Sequence, residues 1–555
     1  MLVVFLFWIV LFCIFFALGD AFLYASLKVT GDKTQYSIIN TFFIGLAIAA
    51  ILACGLSLFT PLTKYIFLLI LAFTVIYGVY RRKKMTKSII EFVKELRSLS
   101  VWGKIVYTLI IIIVLYHSGA FSNAYDQFLY HQQHIKWLQE YGVVNGLANL
   151  HMRLGFNSSS LSITSLFAFH PDLKISFTAL NGLSLFVFAS WLTIKAQKSK
   201  ETVASFAYLF TLVIFVQFYA VELSSTSTDV LVNIVATYLL LNCFFERVCK
   251  ENYLQLAILP VFCVTLKLSS APIIILSLFA FYQLFKNRQY RSLTFSLTTV
   301  TLLFGVWLAQ NIILTGYLIF PFPEIDLFSF DWKVPSDIVA QEKVITYNWA
   351  RGIETSSATP FGWISSWWSP IQPVHKIIYG LSILALLLSP LAIIKVKKEK
   401  MILLGCIVSI IGAIFGFLTA PALRFSLGFV VPVIFIPLLP LTLVGAKNIG
   451  RYVLIPLQYG LLATLIAFHM WYISMATIDK SNSGLTYLRA QYIKPFPISY
   501  AGVSAIFDTI IIKDVEIYVP QNGFSYDGKL PNTPYIKKGL EPRRTDIRDG
   551  FRIKE

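Results

Sequence analysis

The sequence predicts an all-α polytopic membrane protein of about fourteen transmembrane helices, with two long extracytoplasmic loops and a small mixed α/β cap at its C-terminal end. Three observations predict this. Hydrophobic residues make up 57% of the 555 residues and charged residues only 13%, about half the charged share of an average globular chain. Apolar stretches near the roughly 20 residues that cross a bilayer recur along most of the chain. The 46 basic residues outnumber the 28 acidic ones, for a net charge of +18, and the basic excess falls in clusters between the apolar stretches. This composition excludes a soluble enzyme, a disordered chain and a disulfide scaffold.

Residues 1–24 are apolar like a signal peptide but lack a basic n-region and a small-residue cleavage site, so they read as a retained first span. Stretches 38–60 and 64–80 follow, ending in Arg81-Arg82-Lys83-Lys84. Residues 85–99 alternate apolar and charged side chains at helical spacing, which predicts an interfacial helix on the cytoplasmic face. It closes an N-terminal unit of 1–100. The unit 101–474 holds further stretches at 103–119, 173–194, 203–221, 228–245, 293–316, 376–394, 401–418, 425–444 and 453–474. The segment 253–286 is too long for one span and carries Lys267 in its middle. It reads as two short spans, 253–266 and 270–286, that meet at Lys267.

The basic clusters test that reading. They are Arg81–Lys84, Lys195/Lys198/Lys200, Arg247/Lys250, Lys286/Arg288/Arg291, Lys395/Lys397/Lys398/Lys400 and Lys447/Arg451. All fall on one side of the membrane only if 253–286 crosses twice, and cytoplasmic enrichment of Lys and Arg favours that arrangement. The positive charge thus reports topology and gives no reason to expect nucleic acid. The opposite side receives loops 120–172 and 317–375, the links 222–227 and 419–424, and the tail 475–555. In the tail, short apolar runs (Thr509–Ile512, Glu516–Val519) alternate with the turns Asn522-Gly523 and Asp527-Gly528. Cys13, Cys54, Cys243, Cys249, Cys263 and Cys406 lie in spans or at the cytoplasmic edge, so no disulfide framework is expected.

The chain has no Walker loop, dinucleotide fingerprint, G-x-S-x-G or HExxH motif. Any chemistry therefore falls to loop residues at the outer face. In the polar segment Tyr125–Gly142, the residues Tyr130, His134, Trp137 and Tyr141 form a stripe on one helix face, expected to lie in the headgroup plane. Asp126 just before it reads either as an acid working on a lipid-delivered substrate or, more plainly, as a solvated loop acid or part of the helix N-cap region. His131 and His134 share a face and His151 follows, which admits a divalent metal, with plain interfacial histidines as the alternative. Glu222 and Asp229 bracket a Ser/Thr link, and Asp229 fits equally a first-turn acid and a second site acid. Lys267 would cost about 2.5–3.5 kcal/mol at mid-membrane without a partner. Arg424 fits snorkelling or bidentate phosphate binding. Asn157-Ser158-Ser159 matches a glycosylation sequon but reads as turn and cap chemistry. Trp363, Trp367 and Trp368 suggest an interfacial belt or a sugar-stacking surface.

Several segments resemble a largely uncharacterised family of bacterial membrane proteins in the GT-C glycosyltransferase superfamily. They are Tyr130-His131 with Ile135-Lys136-Trp137, Glu140–Val144, Gly146–His151 and Phe156–Ser159; Ser224-Ser225 with Asp229; Leu266–Ser269; and Thr315–Pro321. Ala350-Arg351, Thr419-Ala420-Pro421 with Arg424-Phe425, and Asp549–Ile553 complete the set, in order along nearly the whole chain. The resemblance implies a GT-C-like fold with 1–100 as an N-terminal addition, and transfer of a sugar from a polyprenyl-phosphate donor to a glycan, lipid or protein acceptor. It implies a bacterial inner membrane with the active face in the periplasm, and membrane lipids as partners. Asp126 would be the catalytic residue, as general base or by orienting the acceptor hydroxyl. Tyr130, His131, His134, His151, Arg153, Asn157, Glu222, Asp229, Lys267, Arg351 and Arg424 would bind substrate. Requirement for a divalent metal, Mg or Mn, is left open, because the superfamily includes both kinds. The sequence departs from the pattern at Gln127-Phe128, where a small residue is usual, and at Ser525 and Asn532, near which relatives carry a cysteine pair. Two other readings fit the same chain: a lipid-linked glycan flippase, which should show inverted repeats that the sequence lacks, and a non-catalytic GT-C-like scaffold subunit.

Overall fold

The computed structural model describes residues 2–31, 34–120, 124–168, 178–246, 253–354, 359–444, 455–478 and 506–554. Arg247, Cys249, Lys250, Lys447 and Arg451 lie outside the described residues, as does the tail between 479 and 505. The chain begins with α1 (Leu2–Thr30) and α2 (Ile38–Ser57), the latter capped by Ser37, whose Oγ accepts from the Asn40 amide at 3.2 Å. They cross backbone to backbone. A Cβ on Gly19 would lie 1.9 Å from the Thr41 carbonyl oxygen, and one on Gly45 1.7 Å from that of Phe15, so only glycine fits there. Helices α3 (Lys64–Tyr80) and α4 (Arg82–Arg97) meet at a 90° bend. Asp20 of α1 sets that corner: its Oδ2 accepts from the Tyr77 hydroxyl at 2.8 Å and from Arg81 Nε at 3.3 Å. Helix α4 buries no residue fully and turns Met85 and Phe92 toward the bundle, the form expected of an interfacial helix.

After α5 (Val101–Ser118), a π-turn at Gln127–His131 leads into α6 (Gln132–Glu140), then α7 (Leu147–Leu150) and α8 (Ser159–Phe167). The bundle continues with α9 (Leu180–Lys198), α10 (Thr202–Tyr219), α11 (Asp229–Phe245), α12 (Tyr253–Leu266) and α13 (Ile274–Lys286). Lys267 is extended between α12 and a 3₁₀ turn, and Ser277 Oγ donates to the Ala257 carbonyl at 2.8 Å. Pairing of residues equidistant from Lys267 means that the chain reverses there, so this lysine sits at a hairpin tip and not at mid-span. Next come α14 (Tyr290–Thr315), the loop helices α15 (Ser336–Arg351) and α16 (Ile364–Trp368), and α17 (Pro373–Val396), α18 (Lys400–Thr419), α19 (Leu423–Phe435), α20 (Leu439–Val444) and α21 (Ile455–Ile478).

The protein is thus mostly helical, and among the described residues nine helical segments are long and apolar enough to cross a membrane, with α3–α4 as a bent tenth candidate. The described parts of the remaining predicted stretches are helical too, but α11 and α12 are short. Both stop at polar residues: α11 starts at Asp229 and α12 ends before Lys267.

The tail forms two small antiparallel sheets. Strands β1 (Phe507–Ile512) and β2 (Val515–Pro520) pair from Phe507↔Pro520 to Ile512↔Val515, while β3 (Leu540–Pro542) pairs with β4 (Phe551–Ile553). The β1–β2 turn, Lys513-Asp514, has both φ values positive (48° and 64°), as a two-residue hairpin with native twist requires. This cap shares a second apolar core with α6 and α7: Trp137, Leu147, Leu150, Ile517 and Phe551. The expected headgroup-plane helix is therefore corrected. Trp137 is fully buried beneath the cap, so protein and not lipid covers its stripe. Gly550 is obligatory at this joint, since a Cβ there would meet the Asn145 carbonyl oxygen at 1.9 Å.

Candidate active site

Four charges from four distant segments converge at the cap-bearing end of the bundle. Asp126 stands at the head of the π-turn, Asp229 opens α11, Lys267 sits at the hairpin tip and Arg424 is in the first turn of α19. Arg424 Nη2 lies 3.2 Å from Asp126 Oδ2, and its Nε lies 3.6 Å from Asp229 Oδ2. Lys267 Nζ pairs with the other Asp229 oxygen. The Asp229 side chain is only 6% exposed, against 26–32% for the other three, so it is the buried floor of an otherwise open cluster.

Local sequence explains the convergence. Asn233, one turn into α11, donates from Nδ2 to the carbonyls of Asp229 and Arg424, both at 2.8 Å, and accepts from the Gly428 amide at 2.6 Å. One amide thereby locks α11 against α19. Ser269 Oγ donates to the Phe425 carbonyl at 3.0 Å, tying the hairpin to the same helix. Ser158 and Ser159 hold the other side: Ser158 Oγ donates to the Leu266 carbonyl at 2.7 Å, and Ser159 and Thr265 hydroxyls are 2.9 Å apart. The Thr226 amide donates to Gln127 Oε1 at 3.3 Å, joining the 222–228 link to the Asp126 turn. Aromatic faces complete the frame, with Lys267 over Phe425 at 4.0 Å and Arg424 facing Phe425 and Trp349 at 4.9 and 5.0 Å.

Asp126 occupies the N-cap position of the π-turn, but its side chain makes no capping bond. Burial works to raise its pKa, but His131, Arg424, Lys267 and Arg153 outweigh that and hold it below the usual carboxylate value. Burial lowers the pKa of His131 itself to about 4. His134 and His151 are likewise pushed down, to about 4 and about 3, by burial. The three histidines are thus neutral near pH 7, and Nδ1 of His131 and of His134 is buried without a hydrogen-bond partner among the described residues. Among the described residues no group of three or more His, Cys, Asp or Glu could hold a metal ion.

The other expected site residues divide. Tyr130 and His131 lie beside Asp126 on the π-turn, with ring centroids 4.4 Å apart. Glu222 stays at the rim, its Oε2 accepting from Ser225 Oγ at 3.1 Å. Arg153 pairs with Glu342 of α15 at 3.1 Å, and His151 lies between Tyr130 and Tyr535 of the cap, at 6.4 and 6.0 Å. Two residues serve the framework instead. Asn157 Nδ2 donates to the Trp307 carbonyl at 3.1 Å, and Arg351 Nη2 donates to the Leu418 carbonyl at 2.9 Å while lying over Trp363. The tryptophan belt is also corrected: Trp363 and Trp367 are buried, and Trp367 Nε1 and Tyr379 OH both donate to the Pro421 carbonyl, at 2.6 and 2.8 Å, fixing the link that launches Arg424. Sequence reading missed Asn233 and Trp349, the latter 58% exposed over Arg424. An Asn inside an apolar helix was the available signal for the first.

Fold and cluster together define a multi-pass membrane protein with a paired-charge site where its helices end. The chain matches the model of a domain of unknown function (DUF8201) over residues 1–431 and belongs to that family. The match takes in Asp126, Asp229, Lys267 and Arg424. No curated protein and no solved structure matches the chain.

Proposed function

We propose that the protein is a membrane glycosyltransferase that moves a sugar from a polyprenyl-phosphate-linked donor to a cell-envelope glycan, lipid or protein acceptor. In this reading all fourteen predicted stretches cross a bacterial inner membrane and the charge cluster faces the periplasm. The observation that carries it is the pairing of Asp126 with Arg424, beside Lys267 on Asp229. The cluster offers a carboxylate and two cations to one small space at a helix-end surface. Arg424 Nε faces Asp229 Oδ2 at 3.6 Å without making a hydrogen bond, so the guanidinium's donor fork is not fully used by its carboxylate partners.

In the step proposed, the acceptor hydroxyl oxygen attacks the anomeric carbon and its proton passes to Asp126. The bond from that carbon to the phosphate oxygen breaks, and the electron pair leaves with the lipid phosphate, whose growing charge faces Arg424 and Lys267. The donor phosphate takes over Arg424 from Asp126, which frees the carboxylate to accept a proton. The resemblance to GT-C proteins supports the same roles. The test compares surface glycans and lipid-linked intermediates by mass spectrometry in wild type, a deletion strain and Asp126→Asn at matched protein level. Asp126→Asn should cut transfer by about 10²–10⁴-fold, with the prenyl-phosphate sugar accumulating as in the deletion. Full restoration of the glycan by Asp126→Asn would sink the catalytic assignment.

A further inference from the structure

A second feature lies at the opposite end of the bundle and does not depend on the proposed activity. Phe22, Ala25 and Val29, at i, i+3 and i+7 of α1, face Thr294, Thr298 and Leu302 of α14 across an open groove of about 760 Å³. The Phe22 and Phe295 rings, 5.1 Å apart, form its floor. The depth comes from small side chains, Ala25 and the threonines, set between larger ones. One end of this apolar channel is polar: Tyr290 and Arg291, the first two residues of α14, line it. Arg291 is exposed, and among the described residues no carboxylate pairs with it. The α14 N-terminus has no side-chain cap, so its free amides and dipole add to the positive field at the same spot.

The dimensions match one leaflet. From Arg291 to Leu302 a helix rises about 16 Å, and half the hydrocarbon core of a bilayer is roughly 15 Å. An exposed apolar groove of that length, closed at one end by an exposed guanidinium, complements an acyl chain beneath an anionic phosphate headgroup. We infer that the α1–α14 groove is a binding site for an anionic phospholipid of the leaflet at Arg291, with one acyl chain along Phe22–Leu302 and the phosphate on Arg291.

The test uses the delipidated full-length protein in mild detergent, with dioleoylphosphatidylglycerol or dioleoylphosphatidylcholine added and bound lipid counted by native mass spectrometry. Wild type should retain one phosphatidylglycerol in preference to phosphatidylcholine. Arg291→Ala should weaken that retention roughly five-fold, the effect of one interfacial cation. Ala25→Trp, which fills the groove, should abolish it. Thr298→Trp fills it from the other wall, so a folding defect peculiar to one variant does not decide the matter; each must elute monodisperse. Equal retention of the two lipids by wild type, or wild-type retention by both groove-filling variants, would overturn the assignment.

Discussion

Asp229 is the residue on which the charge cluster is built, because it is buried and both cations reach it. Removing one partner of a buried ion pair costs up to about 3–5 kcal/mol when the other charge is left uncompensated, whereas removing both can be nearly neutral. Asp229→Asn, which leaves two cations without their shared carboxylate, should therefore lower the unfolding midpoint in detergent markedly, and Lys267→Met should lower it less, because Arg424 still faces Asp229 at 3.6 Å. The double variant should recover most of the loss, with a coupling of roughly 1–3 kcal/mol. Strictly additive losses would mean that the pair is not coupled. The four cluster residues were each legible in the sequence, since charges beside apolar spans are rare and call for partners. Their grouping was not, because Asp126 and Arg424 are 298 positions apart. Arg351 stood out by the same criterion yet bonds a helix-end carbonyl. A cation at a span edge satisfies either demand, and only the fold separates the two.

At the scale of elements, the cap and α6 make one unit. Gln133 Nε2 donates to the Tyr526 carbonyl at 2.9 Å and Lys136 Nζ to that of Gly528 at 3.0 Å, so the turn of the cap grips the helix that follows Asp126. Sequence periodicity marked the apolar stripe of α6 correctly. It could not say whether lipid or protein covers such a stripe, and here the cover comes from strands nearly four hundred residues later. The hairpin runs of the cap were legible because alternation and turn residues are local signals. Lys537 makes this joint sensitive to pH. Its ammonium donates to the carbonyls of Ala148 and Asn149, both at 3.3 Å, and burial lowers its pKa from 10.5 to about 8 against the raising effect of Glu342. Below pH 8 the folded protein bears the cost of a buried charge. Between about 8 and 10.5 the folded state has lost a proton that the unfolded chain still holds, so stability rises with pH across that window. Between pH 7.5 and 9 the wild type should gain about 1 kcal/mol relative to Lys537→Met. Parallel melting curves for the two proteins over that range would refute the linkage.

Across the whole molecule the two ends of the bundle differ in charge. Helix ends at the site carry matched acids and bases. The far ends carry Arg81–Lys84, Lys195 and Lys198, Lys286 and Arg291, and Lys395–Lys400. The hydrogen bonds show which end is which. Asn181 near the start of α9 binds the Ser225 and Ser227 carbonyls beside the site, at 2.9 Å each, while Lys198 at its other end reaches Glu95 of α4 at 2.8 Å. Tyr379 near the start of α17 reaches Pro421, which places Lys395 at the far end as well. Each described basic cluster thus falls on the α4 side of the bundle, the side that cytoplasmic retention of Lys and Arg assigns to the cytoplasm. The consequence can be measured without any knowledge of substrate. With the native cysteines replaced by alanine, single cysteines are placed at Lys538 on the cap and at Lys87 on α4, whose side chain is 68% exposed. In spheroplasts a membrane-impermeant maleimide should label Lys538→Cys at once and Lys87→Cys only after permeabilisation. The opposite pattern would put the cap and the charge cluster in the cytoplasm, where a periplasmic transfer reaction has no place. Labelling of both positions without permeabilisation would mean that α4 and the cap share a compartment, and the reversal of the chain at Lys267 would then no longer place the basic clusters on one side.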